Sequence, residues 1–254
     1  MATYPELAGR VVIVTGGAQG IGAAAARMFA AQGARVAIAD LDAAKSAGVV
    51  ADIAAAGGKA LFIRTDVTDP AAVDALVART ASELGGLDVL VTSAGGYRRL
   101  ATVEDMPVDE WDFTVALNLR SAFLCSKAVI PHLKRSKAGR IIHVASISGR
   151  TIHASTSPAY AASKAGVIQL TRFLAFQLGE HGITSNAIAP HTTLTERVVA
   201  LRTPEQIAKL AADTPLRRLP SPEDHAAAML FLASDAAASI NGTVMDVNGG
   251  KVMM

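Results

Sequence analysis

Tyr160 and Lys164 stand four residues apart in the run Ser157-Pro158-Ala159-Tyr160-Ala161-Ala162-Ser163-Lys164. Ser before Pro is a helix-opening pattern, and Ala- and Leu-rich sequence continues to about His181, so both residues fall on one helix, one turn apart on one face. A phenol titrates near ~10 in water, too high for a base at neutral pH. A fixed ammonium beside it favours the phenolate, so the pair could act as a tuned proton donor and acceptor. Taken alone, the same spacing also fits a solvated Tyr and Lys.

A second chemical stretch lies near the amino end. Gly16, Gly20 and Gly22 are spaced G-x-x-x-G-x-G within Thr15-Gly16-Gly17-Ala18-Gln19-Gly20-Ile21-Gly22. The run follows the apolar strand Val11-Val12-Ile13-Val14 and opens a helix ending at Gly33. Glycines there let backbone approach a pyrophosphate, and the helix N-terminus adds amide donors and positive dipole. Asp40 ends the next strand, eighteen residues after Gly22. A carboxylate there accepts hydrogen bonds from ribose hydroxyls and repels a 2′-phosphate, which predicts NAD rather than NADP. Asp66-Val67 ends the third strand, where Asp66 could meet the adenine or serve only as a turn residue before Pro70.

The elements that must position these residues alternate along the whole chain. Strands are expected at 11–14, 35–40, 60–65, 87–91, 140–145, 184–189 and 243–247. Helices are expected at 23–32, 43–56, 70–84, 111–137, 158–181, 205–212 and 223–234. Seven strands with helices between them predict an α/β fold: a single doubly wound Rossmann-type domain over residues 1–254, with a seven-stranded parallel sheet and helices on both faces. Residues 190–222 hold five prolines and little pattern, which marks a substrate loop or lid. Thr92-Ser93-Ala94-Gly95-Gly96 follows the fourth strand, and Ser146 and Ser148 the fifth. These small residues fall on the same sheet edge as the glycines, where such sheets bind ligands. Asn118 lies inside a helical region, where a buried amide needs partners.

Composition excludes other classes. The 254 residues are 51% hydrophobic with a formal net charge of +2, which fits a globular chain without a nucleic-acid-binding basic face. A single cysteine, Cys125, rules out an intrachain disulfide and a cysteine metal cluster. No secretory signal or long apolar run is visible, so a cytoplasmic protein without a membrane segment is the expectation. No metal site is read.

Together these residues resemble the short-chain dehydrogenase/reductase family of the classical type, over essentially the whole chain. Thr15 to Gly22 fits its T-G-x-x-x-G-x-G motif, and Tyr160 with Lys164 fits Y-x-x-x-K. Ser146 and Asn118 fall where its catalytic Ser and Asn are expected, and residues 239–250 look like its closing strand. The resemblance implies hydride transfer between nicotinamide and a secondary alcohol or ketone substrate, such as a 3-oxoacyl group, polyol or sugar alcohol. Tyr160 would exchange the proton, and Lys164 would lower its pKa and hold the nicotinamide ribose. Ser146 would orient the substrate oxygen, and Asn118 would fix a water feeding protons to the lysine. Cofactor contacts are implied for Gly16, Gln19, Gly20, Ile21, Gly22 and Asp40. They are implied as well for Asp66, Val67, Ala94, Gly95, Pro190 and Thr193, alongside Tyr160 and Lys164. A homotetramer is implied, built through the two long helices, which are apolar on more than one face.

Two departures stand out. Thr92-Ser93 replaces the usual Asn-Asn, which predicts a less braced strand end. His191 replaces the usual Gly after Pro190, which predicts either a different turn or a histidine lining the pocket. Two rival readings keep the fold but change the function: a redox-inactive NAD-binding regulatory protein, and an epimerase or dehydratase that uses NAD internally. The intact Asn118, Ser146, Tyr160 and Lys164 count against the first, and the absence of a separate substrate region against the second.

Overall fold

Strand β1 (Val11–Thr15) is buried along its whole length because both of its neighbours and both covering layers are apolar. Val12 and Val14 face one core cluster, and Val11 and Ile13 face another. This is the period-2 signature of a central parallel strand. The computed structural model describes residues 2–152 and 156–254. Its seven strands are β1, β2 (Arg35–Asp40), β3 (Lys59–Arg64), β4 (Val89–Thr92), β5 (Arg140–Val144), β6 (Thr184–Pro190) and β7 (Val244–Val247). They form one sheet in the order β3-β2-β1-β4-β5-β6-β7, and every pairing is parallel.

Helices α1 (Gly20–Ala31), α2 (Ala43–Ala55) and α9 (Pro222–Ala233) cover one face. Helices α3 (Pro70–Leu84), α5 (Ser121–Leu133) and α6 (Pro158–Leu178) cover the other, and α4 (Val108–Val115) packs against α6. The chain reverses its winding between β1 and β4, so a crevice opens above their carboxyl ends. Thr15, Thr92 and His143 lie side by side there in register. The glycine turn, the Ala94-Gly95 turn and the Ser146 turn therefore leave three adjacent strands at one edge.

Three details differ from the sequence expectation. The helix expected over 111–137 starts earlier and ends at Leu133, and a π-type turn (Ala116–Arg120) joins α4 to α5. An 18-residue window within Val108–Leu133 has mean hydropathy 1.3, apolar enough by length and composition to cross a membrane, although charged residues interrupt it. Its Cys125, Val129 and Leu133 are buried in the core beside β4 and β5. The region after β6 holds two helices rather than one: α7 (Glu196–Leu201) precedes α8 (Pro204–Ala212). Ser157 occupies the N-cap position of α6, but its hydroxyl makes no cap hydrogen bond.

Candidate active site

The turn after β1 is shaped by contacts only glycine permits. Gly16 has φ +66°, and a Cβ on it would lie 2.7 Å from the Ala94 backbone. A Cβ on Gly22 would lie 2.1 Å from the Gly16 carbonyl oxygen. The first turn of α1 is thereby drawn against the loop. Its N-cap, Gln19, makes no side-chain cap; the Gln19 amide oxygen accepts instead from Lys45 Nζ at 2.8 Å. Uncapped amides at a helix N-terminus suit a pyrophosphate. Gly16, Gln19, Gly20 and Ile21 line a cavity of about 390 Å³ that runs across the crevice to Tyr160 and Lys164. Its size and donors fit a dinucleotide.

Asp40 lines the same cavity and is held from two sides. The Ala18 N–H donates to Oδ2 at 3.1 Å, and the Asp42 N–H to Oδ1 at 3.0 Å. Asp66 and Val67 also line it. Asp66 Oδ1 accepts from the Thr68 backbone and hydroxyl at 2.9 and 2.7 Å, while Asp69 is the residue that caps α3.

At the other end, α6 presents Tyr160 and Lys164 to the cavity. Lys164 is 4% exposed and donates to the Val144 carbonyl at 2.7 Å. Ser146 Oγ accepts from the Ser148 N–H at 3.1 Å and lies close enough to the Tyr160 hydroxyl to lower its pKa. Ser148 pairs instead with the Thr156 hydroxyl at 3.2 Å. The electrostatics differ from the sequence expectation. Burial pushes Tyr160 up to about 12, and this outweighs the lowering by nearby Ser146, with a smaller raising contribution from Tyr97. Burial also pushes Lys164 down to about 8. Lys164 Nζ is 5.5 Å from the Tyr160 ring centroid. Desolvation therefore dominates both groups in the protein alone, and Tyr160 is a neutral phenol at pH 7.

Asn118 sits in the π-type turn and is 2% exposed. It accepts from the Gly96 N–H at 3.0 Å and donates to the Gly96 and Thr114 carbonyls at 2.7 and 2.8 Å. A Cβ on Gly95 would lie 2.6 Å from Asn118 Oδ1 and 3.3 Å from Lys164 Nζ. The side-chain amide thus braces the strand-end turn.

Comparison with known proteins identifies this arrangement. Residues 16–251 match a family model described as enoyl-(acyl carrier protein) reductase. The chain is 43% identical to cis-4-hydroxycyclohexanecarboxylate dehydrogenase of Sinomonas cyclohexanicum, covering 95% of this chain and 96% of the relative. It is 37% identical to 7alpha-hydroxysteroid dehydrogenase of Escherichia coli K12, covering 97% and 96%. A crystal structure of a dehydrogenase/reductase from Sinorhizobium meliloti 1021 superposes with TM-score 0.90 at 34% identity, covering 97% and 96%. The chain belongs to the short-chain dehydrogenase/reductase family. It is an oxidoreductase that works on a CH–OH group or its ketone with a nicotinamide cofactor.

Around the core of this dehydrogenase/reductase, the structure revises several expectations. Thr193 does not line the cavity: its hydroxyl meets His225 Nε2 at 2.8 Å and the His191 carbonyl at 3.0 Å. Thr195 and Glu196 line it instead. The signal for Thr195 was in the sequence, since Thr before Glu-Arg-Val-Val is an N-cap pattern, and its hydroxyl accepts from the Val198 N–H. Pro190 ends β6 buried, and neither it nor His191 lines the cavity. His191 is not at positive φ, so its backbone does not need the conformation that glycine adopts cheaply. The Thr92-Ser93 end is well braced. Thr92 Oγ1 pairs with His143 Nδ1 at 2.7 Å, and Thr15 Oγ1 accepts from the Ser93 and Ala94 N–H groups.

Three loop arginines near this sheet edge take separate places. Arg150 pairs with Asp246, and the Arg98 guanidinium lies 3.4 Å from the Phe113 ring centroid. Arg99 is exposed, and His153 lies outside the described residues.

Proposed function

We propose that the protein oxidises an alicyclic secondary alcohol, or reduces the matching ketone, with NAD. The observation that carries this reading is one cavity that runs from the glycine turn and Asp40 to Tyr160 and Lys164, with Ser146 behind it near enough to the Tyr160 hydroxyl to lower its pKa. The relative at 43% identity carries an alicyclic substrate in its name, whereas relatives at 37–39% carry polyol, sugar and acyl-CoA as well as cyclic substrates, and the higher identity favours a ring carbinol. The bound nicotinamide supplies or accepts the hydride. Tyr160 exchanges the proton with the substrate oxygen, and Ser146 orients that oxygen. Lys164 holds the nicotinamide ribose. Asn118 acts through Gly96, as a positioning residue. The segment 190–222, with Thr195 and Glu196 at the cavity wall, is the lid of a single domain. A panel of cyclic secondary alcohols, polyols and 3-oxoacyl thioesters, assayed with NAD and NADP, tests the reading. Turnover confined to polyols or thioesters would refute it.

Cofactor choice rests on Asp40. Its two oxygens are fixed in the cavity wall, so a 2′-phosphate would meet a charge that cannot swing away. NAD should give the higher kcat/KM, and Asp40→Ala should narrow the gap. Equal or better turnover of wild type with NADP would contradict the assignment.

Assembly follows from what α5 and α6 leave uncovered. Phe123, Phe173 and Phe176 are exposed, Phe176 by 87%, on helices whose opposite sides are core. Large exposed aromatics on adjacent helices suit an interface between copies. The protein should run as a homotetramer in light scattering at micromolar concentration, whereas a monomer would exclude it.

A further inference from the structure

Tyr97 is fixed more firmly than a loop residue needs to be. On one side, the Asn118 amide closes two hydrogen bonds on Gly96. On the other, the Arg98 N–H donates to Glu110 Oε1 at 3.0 Å. Glu110 is 4% exposed, and the same oxygen accepts from the Thr114 hydroxyl at 3.2 Å. A buried carboxylate is costly, and here it is held by one loop amide and one hydroxyl. The Arg98 guanidinium packs on Phe113 of the same helix. Glu110, Phe113, Thr114 and Asn118 recur at helical spacing, so one face of α4 and its π-type turn grips residues 96–98.

The result is a defined corner. The Tyr97 ring centroid lies 5.3 Å from that of Tyr160, edge-on at 62°. This is a favourable aromatic geometry, and it sets a rigid apolar surface beside the proton-exchanging phenol. Tyr97 also contributes to the raised pKa of the Tyr160 hydroxyl, so it lies within electrostatic reach of the reacting oxygen. An alcohol whose oxygen meets Tyr160 starts its carbon frame next to this wall. A rigid ring can lay a face on the wall without freezing torsions, whereas an open chain must freeze several.

The geometry points to Tyr97 as a specificity-determining residue that selects alicyclic over open-chain secondary alcohols by forming the substrate wall beside Tyr160. The assignment rests on the proposed alcohol dehydrogenase activity and names the residue that would tune it.

The test compares wild type, Tyr97→Phe and Tyr97→Ala on cyclohexanol and 2-hexanol, with NADH affinity followed by fluorescence titration. Tyr97→Phe keeps the ring and should keep the wild-type preference for cyclohexanol over 2-hexanol. Tyr97→Ala should lose roughly 10–200-fold in kcat/KM on cyclohexanol, the range for changes in an apolar substrate pocket, and far less on 2-hexanol. NADH affinity should be unchanged in both variants, which also reports that they fold. An equal loss on both alcohols would overturn the inference, because Tyr97 would then act through Tyr160. Weakened NADH binding, or no loss on either alcohol, would overturn it as well. A wild type inactive on every secondary alcohol would instead bring down the proposed function, and this assignment with it.

Discussion

Replacing Tyr160 with Phe should lower secondary-alcohol turnover by at least ~10²–10⁴-fold, the usual contribution of general acid–base catalysis. Cofactor affinity and thermal midpoint should stay nearly unchanged. The ring remains against Tyr97 and the wall of the cavity, so the packing that positions α6 is preserved. Only the hydroxyl is lost, and with it proton exchange at the substrate oxygen. The hydroxyl is held neutral by burial, with its pKa pushed up to about 12. In the free protein it is therefore loaded as an acid across the physiological range, the state ketone reduction needs. Steady-state rates in both directions, with NADH titration as a folding control, check the expectation. Near-wild-type turnover in the variant would show that the proton travels through another group.

The second large effect is expected at Lys164. Lys164→Ala should abolish most turnover and also weaken the cofactor, because one ammonium is assigned to both the ribose and the electrostatics of Tyr160. Hydrogen bonds from charged groups are worth about 1.5–3 kcal/mol, so the cofactor Kd should rise ~10–100-fold. The variant frees the Val144 carbonyl of its partner but also removes a buried amine whose pKa burial has pushed down to about 8. These effects oppose each other in stability. The thermal midpoint should move much less than the activity. Unchanged cofactor affinity in a folded variant would remove the ribose role.

The sheet and the site edge were legible because their signals are local and redundant. An all-apolar β1 can only be a central strand, and the Gly16–Gly22 spacing has one geometric use once it sits between a strand and a helix. Tyr160 and Lys164 read correctly as one face of one helix for the same reason. What escaped the sequence was tertiary. The register that puts Thr92 opposite His143, and Thr15 beneath Ser93 and Ala94, supplies the bracing that the missing Asn-Asn pair seemed to forfeit. Thr193 and Thr195 differ only in which way the chain turns after β6, and that turn depends on His225 in a distant helix. The sign of the Tyr160 shift depends on burial, which a four-residue spacing cannot report.

The π-type turn at Ala116–Arg120 has a bearing on redesign. A π-type turn is a single extra residue accommodated within an α-helix, held at some cost in local regularity. An algorithm that optimises helices for stability would excise it and gain a straighter rod. The excision would also rotate Asn118 relative to Glu110, so the two grips on residues 96–98 would no longer come from one side. The irregularity thus works as an indexing device, a fixed offset between two halves of a helix. A thermostabilised version that straightens this helix should lose the present register between Glu110 and Asn118.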